Sequence, residues 1–113
     1  MTAVETILEP LVARRLFASA EEAAQKLVRD YVLRQIISCR DRIVALEHKY
    51  GMDFGRFTQY TSERTALLRR STDLLPEQRQ SLARAVMQEE DDWLDWKATE
   101  ELLQSWLGLQ TEA

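Results

Sequence analysis

Residues 19–51, SAEEAAQKLVRDYVLRQIISCRDRIVALEHKYG, carry a helical signal strong enough to set the class of the whole chain. Ser19-Ala20-Glu21-Glu22 is a capping box, in which the Ser19 hydroxyl accepts from the third helical amide while Glu22 reaches back to the Ser19 amide. A helix is therefore expected from Ala20. Beyond it Val28, Val32, Ile36, Cys39, Ile43, Leu46 and Tyr50 recur three or four residues apart, so they line one face of a helix, and Leu27, Tyr31 and Ile37 widen that seam. Gly51 follows, and glycine is the residue that most readily takes the left-handed conformation closing a helix. About thirty residues at 1.5 Å each give a rod of roughly 45 Å.

The flanking segments read the same way. Val4, Ile7, Leu8, Leu11, Val12 and Leu16 fall near one side of a helix. Pro10 interrupts them, because proline lacks an amide donor and biases Glu9 away from the α region. The helix is accordingly expected to start near Ile7 or Glu9, with Pro10 in its first turn. After Gly51, Asp53 is suited to an N-cap, and Phe54 and Phe57 share a face, which opens a shorter helix to Arg70. Ser71 to Pro76 form a connector in which Asp73 caps a last helix and Pro76 sits in its first turn. That helix is expected to run from 74 to about Leu107, before Gly108, with Leu82, Val86, Trp93, Trp96, Leu103 and Leu107 along one side and Glu89 and Glu100 interrupting the stripe.

The whole reads as one all-α domain over 1–113, a bundle dominated by two long antiparallel helices, 20–50 and 74–107, with shorter helices between and before them. The chain has 113 residues, 45% of them hydrophobic and 30% charged, with three glycines and two prolines. That suits a packed helical protein and excludes a disordered one. Rods this long in so small a chain leave apolar surface uncovered, and pairing of two copies is the simplest way to cover it. A homodimer is expected.

Charge is unevenly spread. Residues 85–113 hold Glu89, Glu90, Asp91, Asp92, Asp95, Glu100, Glu101 and Glu112 against Lys97 alone, a net charge of −7, although the whole chain carries only −4. Phosphate backbones are bound by clustered Lys and Arg, so nucleic acid is not expected as a partner of this end. The apolar stretches are too short to span a membrane, and the acidic N-terminus lacks the layout of a signal peptide. A cytoplasmic location is the expectation. The lone Cys39 has no internal disulfide partner and reads as a small buried thiol.

Several catalytic patterns are approached without being completed. Asp91-Asp92-Trp93-Leu94-Asp95 matches the DDxxD arrangement that holds magnesium for diphosphate substrates, since Asp91 and Asp95 stand one helical turn apart. No second metal motif accompanies it. Glu21-Glu22, Glu89-Glu90 and Glu100-Glu101 each lack the third carboxylate of an EExxE motif. His48 is the only histidine, nine residues from Cys39, and no glycine-rich phosphate loop exists, so neither nucleophilic catalysis nor nucleotide binding has a motif. No enzyme activity and no cofactor are expected, and a metal-dependent hydrolase of a nucleotide or diphosphate, acting through Asp91, Asp92 and Asp95, is the alternative. Trp93, Trp96 and Trp106 are informative in another way. Trp93 and Trp96 suit a core, whereas aromatics beside free acids also make binding hot spots.

One further pattern is Leu46-Glu47-His48-Lys49-Tyr50-Gly51-Met52-Asp53-Phe54 at the end of the long helix, followed by the acidic Asp92-Trp93-Leu94-Asp95-Trp96 helix. In these segments the chain resembles small antitoxin-like proteins of prokaryotic toxin–antitoxin pairs. The resemblance spans residues 20–57 and 89–107. It implies a partner protein encoded nearby and no catalytic residue. The expectation is a non-enzymatic interaction module that meets a basic partner protein through Glu89, Glu90, Asp91, Asp92, Asp95 and Trp106.

Overall fold

The computed structural model describes residues 2–70 and 73–112, so Ser71 and Thr72 of the expected connector lie outside the described residues. Four helices follow in order: α1 (Ala3–Ala13), α2 (Ala20–Tyr50), α3 (Phe54–Arg70) and α4 (Pro76–Glu112). No strand occurs among the described residues. The fold is the expected all-α bundle, and its two long helices, of 31 and 37 residues, pack against each other.

The helix ends explain the boundaries. At the start of α2 the Glu22 amide donates to the Ser19 hydroxyl at 3.1 Å, as the capping box requires. The return bond differs from expectation, because the Glu22 carboxylate accepts from the Ala18 amide rather than from that of Ser19. The Glu22 carboxyl is held below its usual range by the hydrogen bond from Lys26 and then by that Ala18 amide. At the other end Gly51 takes φ of 66° and donates to the Glu47 carbonyl at 2.7 Å, the single bond of a left-handed cap. Asp53 caps α3 by accepting from the Arg56 amide at 2.8 Å.

Three boundaries depart from the sequence reading. Helix α1 begins at Ala3, where Thr2 is the N-cap and accepts from the Glu5 amide, so Pro10 lies inside the helix rather than in its first turn. The lost bond is a single one near the end of a short exposed helix, and this position tolerates it. Helix α4 starts at Pro76 with Leu75 as its cap, because the Leu75 amide donates to the Gln78 side chain at 3.2 Å; Asp73 precedes this cap. Its other end passes through Gly108 to Glu112 instead of stopping near Leu107. Glycine costs a helix only about 1 kcal/mol, less than a favourable context can offset.

The chain divides into two compact units through which α2 and α4 both run. The first comprises residues 1–38 and 105–113. Leu8 of α1 and Ala23, Val32 and Ile36 of α2 are buried there, and Tyr31 meets Trp106 edge to face at 5.8 Å between ring centroids. Val28, expected in the buried seam, is 59% exposed, and Leu27, Tyr31 and Ile37 are exposed with it. The seam of this half of α2 is therefore only partly covered.

The second unit, residues 39–104, holds the denser core. Leu46, Phe57 and Trp96 are fully buried at its centre, with Ile43, Tyr50, Met52, Phe54, Tyr60 and Trp93 packed around them. The Trp96 ring lies 5.4 Å from both Phe54 and Phe57, which places α3 against α4, and Tyr50 meets Phe57 in a tilted pair at 4.2 Å between ring centroids. Burial of large rings is the strongest apolar contribution a chain of this size can make. Cys39 is a buried free thiol, as expected.

Candidate functional site

The acidic segment of α4 lies in the second unit, and the helix turns its carboxylates in different directions. Residues 89, 92 and 96 follow one another at three- and four-residue spacing, so the face that buries Trp96 also carries Glu89 and Asp92 inward. Burying a carboxylate is costly unless it is paired and hydrogen-bonded, and both are. Asp92 accepts from the Lys49 ammonium at 2.6 Å, from the Tyr50 hydroxyl on the same oxygen, and from Gln88 at 3.4 Å on the other. Glu89 accepts from the Arg64 guanidinium at 3.0–3.1 Å and from the Tyr60 hydroxyl at 3.4 Å. Asp95, partly exposed, takes two hydrogen bonds from Arg42.

These contacts set the local proton affinities. Burial alone would raise the Asp92 carboxyl, but the hydrogen bonds from Lys49 and Tyr50 outweigh it and hold the group below its ordinary value. The Tyr50 hydroxyl is pushed well above its usual value, first by burial and then by donating to Asp92, since its ionisation would set two anions face to face. Arg64 is raised by its bond to Glu89. All these groups are thus charged, or in the case of Tyr50 neutral, across the whole physiological range.

The six residues expected to meet a partner therefore separate into distinct sets. Glu89, Asp92 and Asp95 are engaged by bases of α2 and α3, which corrects the reading of this segment as a row of free acids. Their partners Arg42, Lys49, Tyr50 and Arg64 were not foreseen, because 25 to 53 residues of chain lie between the bonded groups and no local pattern announces them. Glu90 and Asp91 face outward, Glu90 with one hydrogen bond from Thr65 at 3.2 Å. Trp106 belongs to the first unit and is half-buried beside Tyr31.

The outward side of α4 has a second feature. Met87, Leu94 and Leu102 are all exposed, at 65%, 58% and 49%, and spacings of seven and eight residues align them along one stripe. Glu90 and Asp91 flank it. The only base of residues 85–113, Lys97, lies over the Trp93 ring at 5.4 Å. Trp93 itself donates to the Thr58 hydroxyl at 2.8 Å.

For metal chemistry the arrangement is scattered. Asp92 points into the core and Asp95 toward Arg42, while Asp91 stands outward, and no group of three or more candidate ligands converges among the described residues. Among them too, no helix is long and apolar enough to cross a membrane. No protein-family model matches the chain, nor does any curated protein or solved structure.

Proposed function

We propose that the protein is a non-enzymatic interaction module, antitoxin-like in kind, which acts in the cytoplasm as a homodimer and binds a basic partner protein through the outward face of α4. The observation that supports this reading is the apolar stripe of Met87, Leu94 and Leu102 standing exposed beside Glu90 and Asp91. Apolar groups of this size give affinity when a partner buries them, and outward acids at their edge steer a basic surface into place. The inward acids Glu89 and Asp92 serve the same face indirectly by fixing the rotation of α4 on α2 and α3.

The test is binding of the product of the adjacent gene, followed by kinetics at two salt concentrations. Reversing Glu90 and Asp91 to Lys should lower the on-rate about tenfold at low salt, with the difference shrinking once the Debye length falls below about 10 Å. Leu94→Ala should act instead on the off-rate, at about 1–2 kcal/mol. A pair that binds with an on-rate indifferent to salt and to charge reversal would exclude this face as the interface.

A further inference from the structure

We propose that the first unit carries a separate docking groove, between α1 and the start of α2, for a basic amphipathic helix of a partner protein. Val4, Leu8 and Val12 of α1 face Ala20 and Ala24 of α2 across an open groove of about 550 Å³. The apolar side chains on the α2 wall are alanines, with Glu21 at its edge, so an incoming helix can approach the backbone closely. Beyond the groove the same face of α2 continues through Leu27, Val28 and Tyr31, at the spacing of a helical stripe, and all three are exposed. From Ala20 to Tyr31 that stripe is about 16 Å long, enough to receive three turns of helix. Helix α1 is itself thinly covered, for Leu8 is its only buried residue.

Charge decides which occupant the groove suits. Glu5, Glu9 and Glu21 are the ionisable side chains that line it. The α2 first-turn amides would favour an anion, but Ser19 already caps one of them, and Glu21 and Glu22 offset their charge. An apolar floor with a glutamate rim complements a helix with apolar anchors at i, i+3, i+4 and i+7 and Lys or Arg on its flanks. In a second copy, α1 carries only glutamates and the outward face of α4 is acidic, so neither matches; α2, whose exposed Leu27, Val28 and Leu33 stand beside Lys26, Arg29 and Arg34, is the helix a copy could offer, and self-association is the outcome that tests it.

The probe is a fluorescent Leu/Lys amphipathic peptide of about 14 residues, roughly 21 Å as a helix. Its controls are a peptide of the same composition with scrambled order and one with Glu replacing Lys. The expected result is saturable binding of the amphipathic basic peptide alone, weakened at least tenfold by Ala24→Arg and by Glu5→Lys combined with Glu9→Lys. The glutamate pair is exposed, so that variant reports on the groove even if Ala24→Arg perturbs folding. Because the α4 face is itself acidic and apolar, the peptide is also titrated against the chain with Glu90→Lys and Asp91→Lys, where the binding that remains belongs to the groove and should be lost on adding Ala24→Arg. Binding that survives both groove variants overturns the proposal, as does equal binding of the scrambled peptide. If only the Glu90 and Asp91 reversal weakens it, the α4 face is the acceptor and the groove is not. Self-association abolished by Ala24→Arg would assign the groove to a second copy and equally overturn it.

Discussion

Asp92 holds the second unit together through charge rather than through apolar burial. Its carboxylate receives Lys49 and Tyr50 from the last turn of α2, so removing it leaves a half-buried hydroxyl without its acceptor and a lysine without its anion. Such a loss costs about 2 kcal/mol. The pH dependence follows from the two shifted groups. The Asp92 carboxyl is depressed in the folded chain, so its contribution is complete above about pH 4 and is lost as pH falls through the folded value. Tyr50 is raised, so its contribution is complete below about pH 10 and is lost as pH climbs through its folded value. Urea melts across pH should show stability falling at both ends. Tyr50→Phe should remove the alkaline fall while costing about 1–2 kcal/mol at neutral pH, and Asp92→Asn should flatten the acid one. An unchanged alkaline limb in Tyr50→Phe would place its cause elsewhere.

Among the helices, stability at the ends is distributed differently from what composition suggests. Helix α1 closes with a Schellman motif, in which the Leu16 amide donates to the Leu11 carbonyl and the Arg15 amide to that of Val12. Arg15 occupies the left-handed position at φ 60°, where glycine is the unstrained residue. Arg15→Gly should stabilise the chain by about 0.5–1 kcal/mol, whereas Ser19→Ala, which removes a cap bond, should cost about 1. Gln78→Ala should cost more than Asp73→Ala, since the Leu75 cap is made by Gln78. Thermal melts of these variants rank the caps directly. A destabilised Arg15→Gly would mean that the arginine side chain contributes more than its backbone conformation costs.

At the scale of the whole molecule, the exposed apolar side chains of α2 and α4 are the main departure from a closed monomer. The expected consequence is association, with sedimentation equilibrium giving about twice the 13.2 kDa chain mass at micromolar concentration. A mass of one chain across that range would refute the homodimer. Leu94→Glu and Val28→Glu, each at a position more than half exposed, should identify which face pairs, because only the substitution within the interface lowers the measured mass.

Periodicity and capping chemistry determined, without any tertiary information, that this is a helical protein, that α2 runs from Ala20 to Tyr50, and that α3 opens at Asp53. Those features depend on neighbours within one or two turns, which a sequence displays directly. The partners of the acidic segment were decided only by tertiary packing. Glu89 and Asp92 look like two more members of an acidic run, yet the three- and four-residue rotation from Trp96 carries them inward, where Arg64, Lys49 and Tyr50 from distant helices meet them. Whether an apolar seam is covered is likewise invisible along the chain. Val28 and Val32 have the same local pattern, and only the presence of a packing neighbour buries Val32 while leaving Val28 open to solvent.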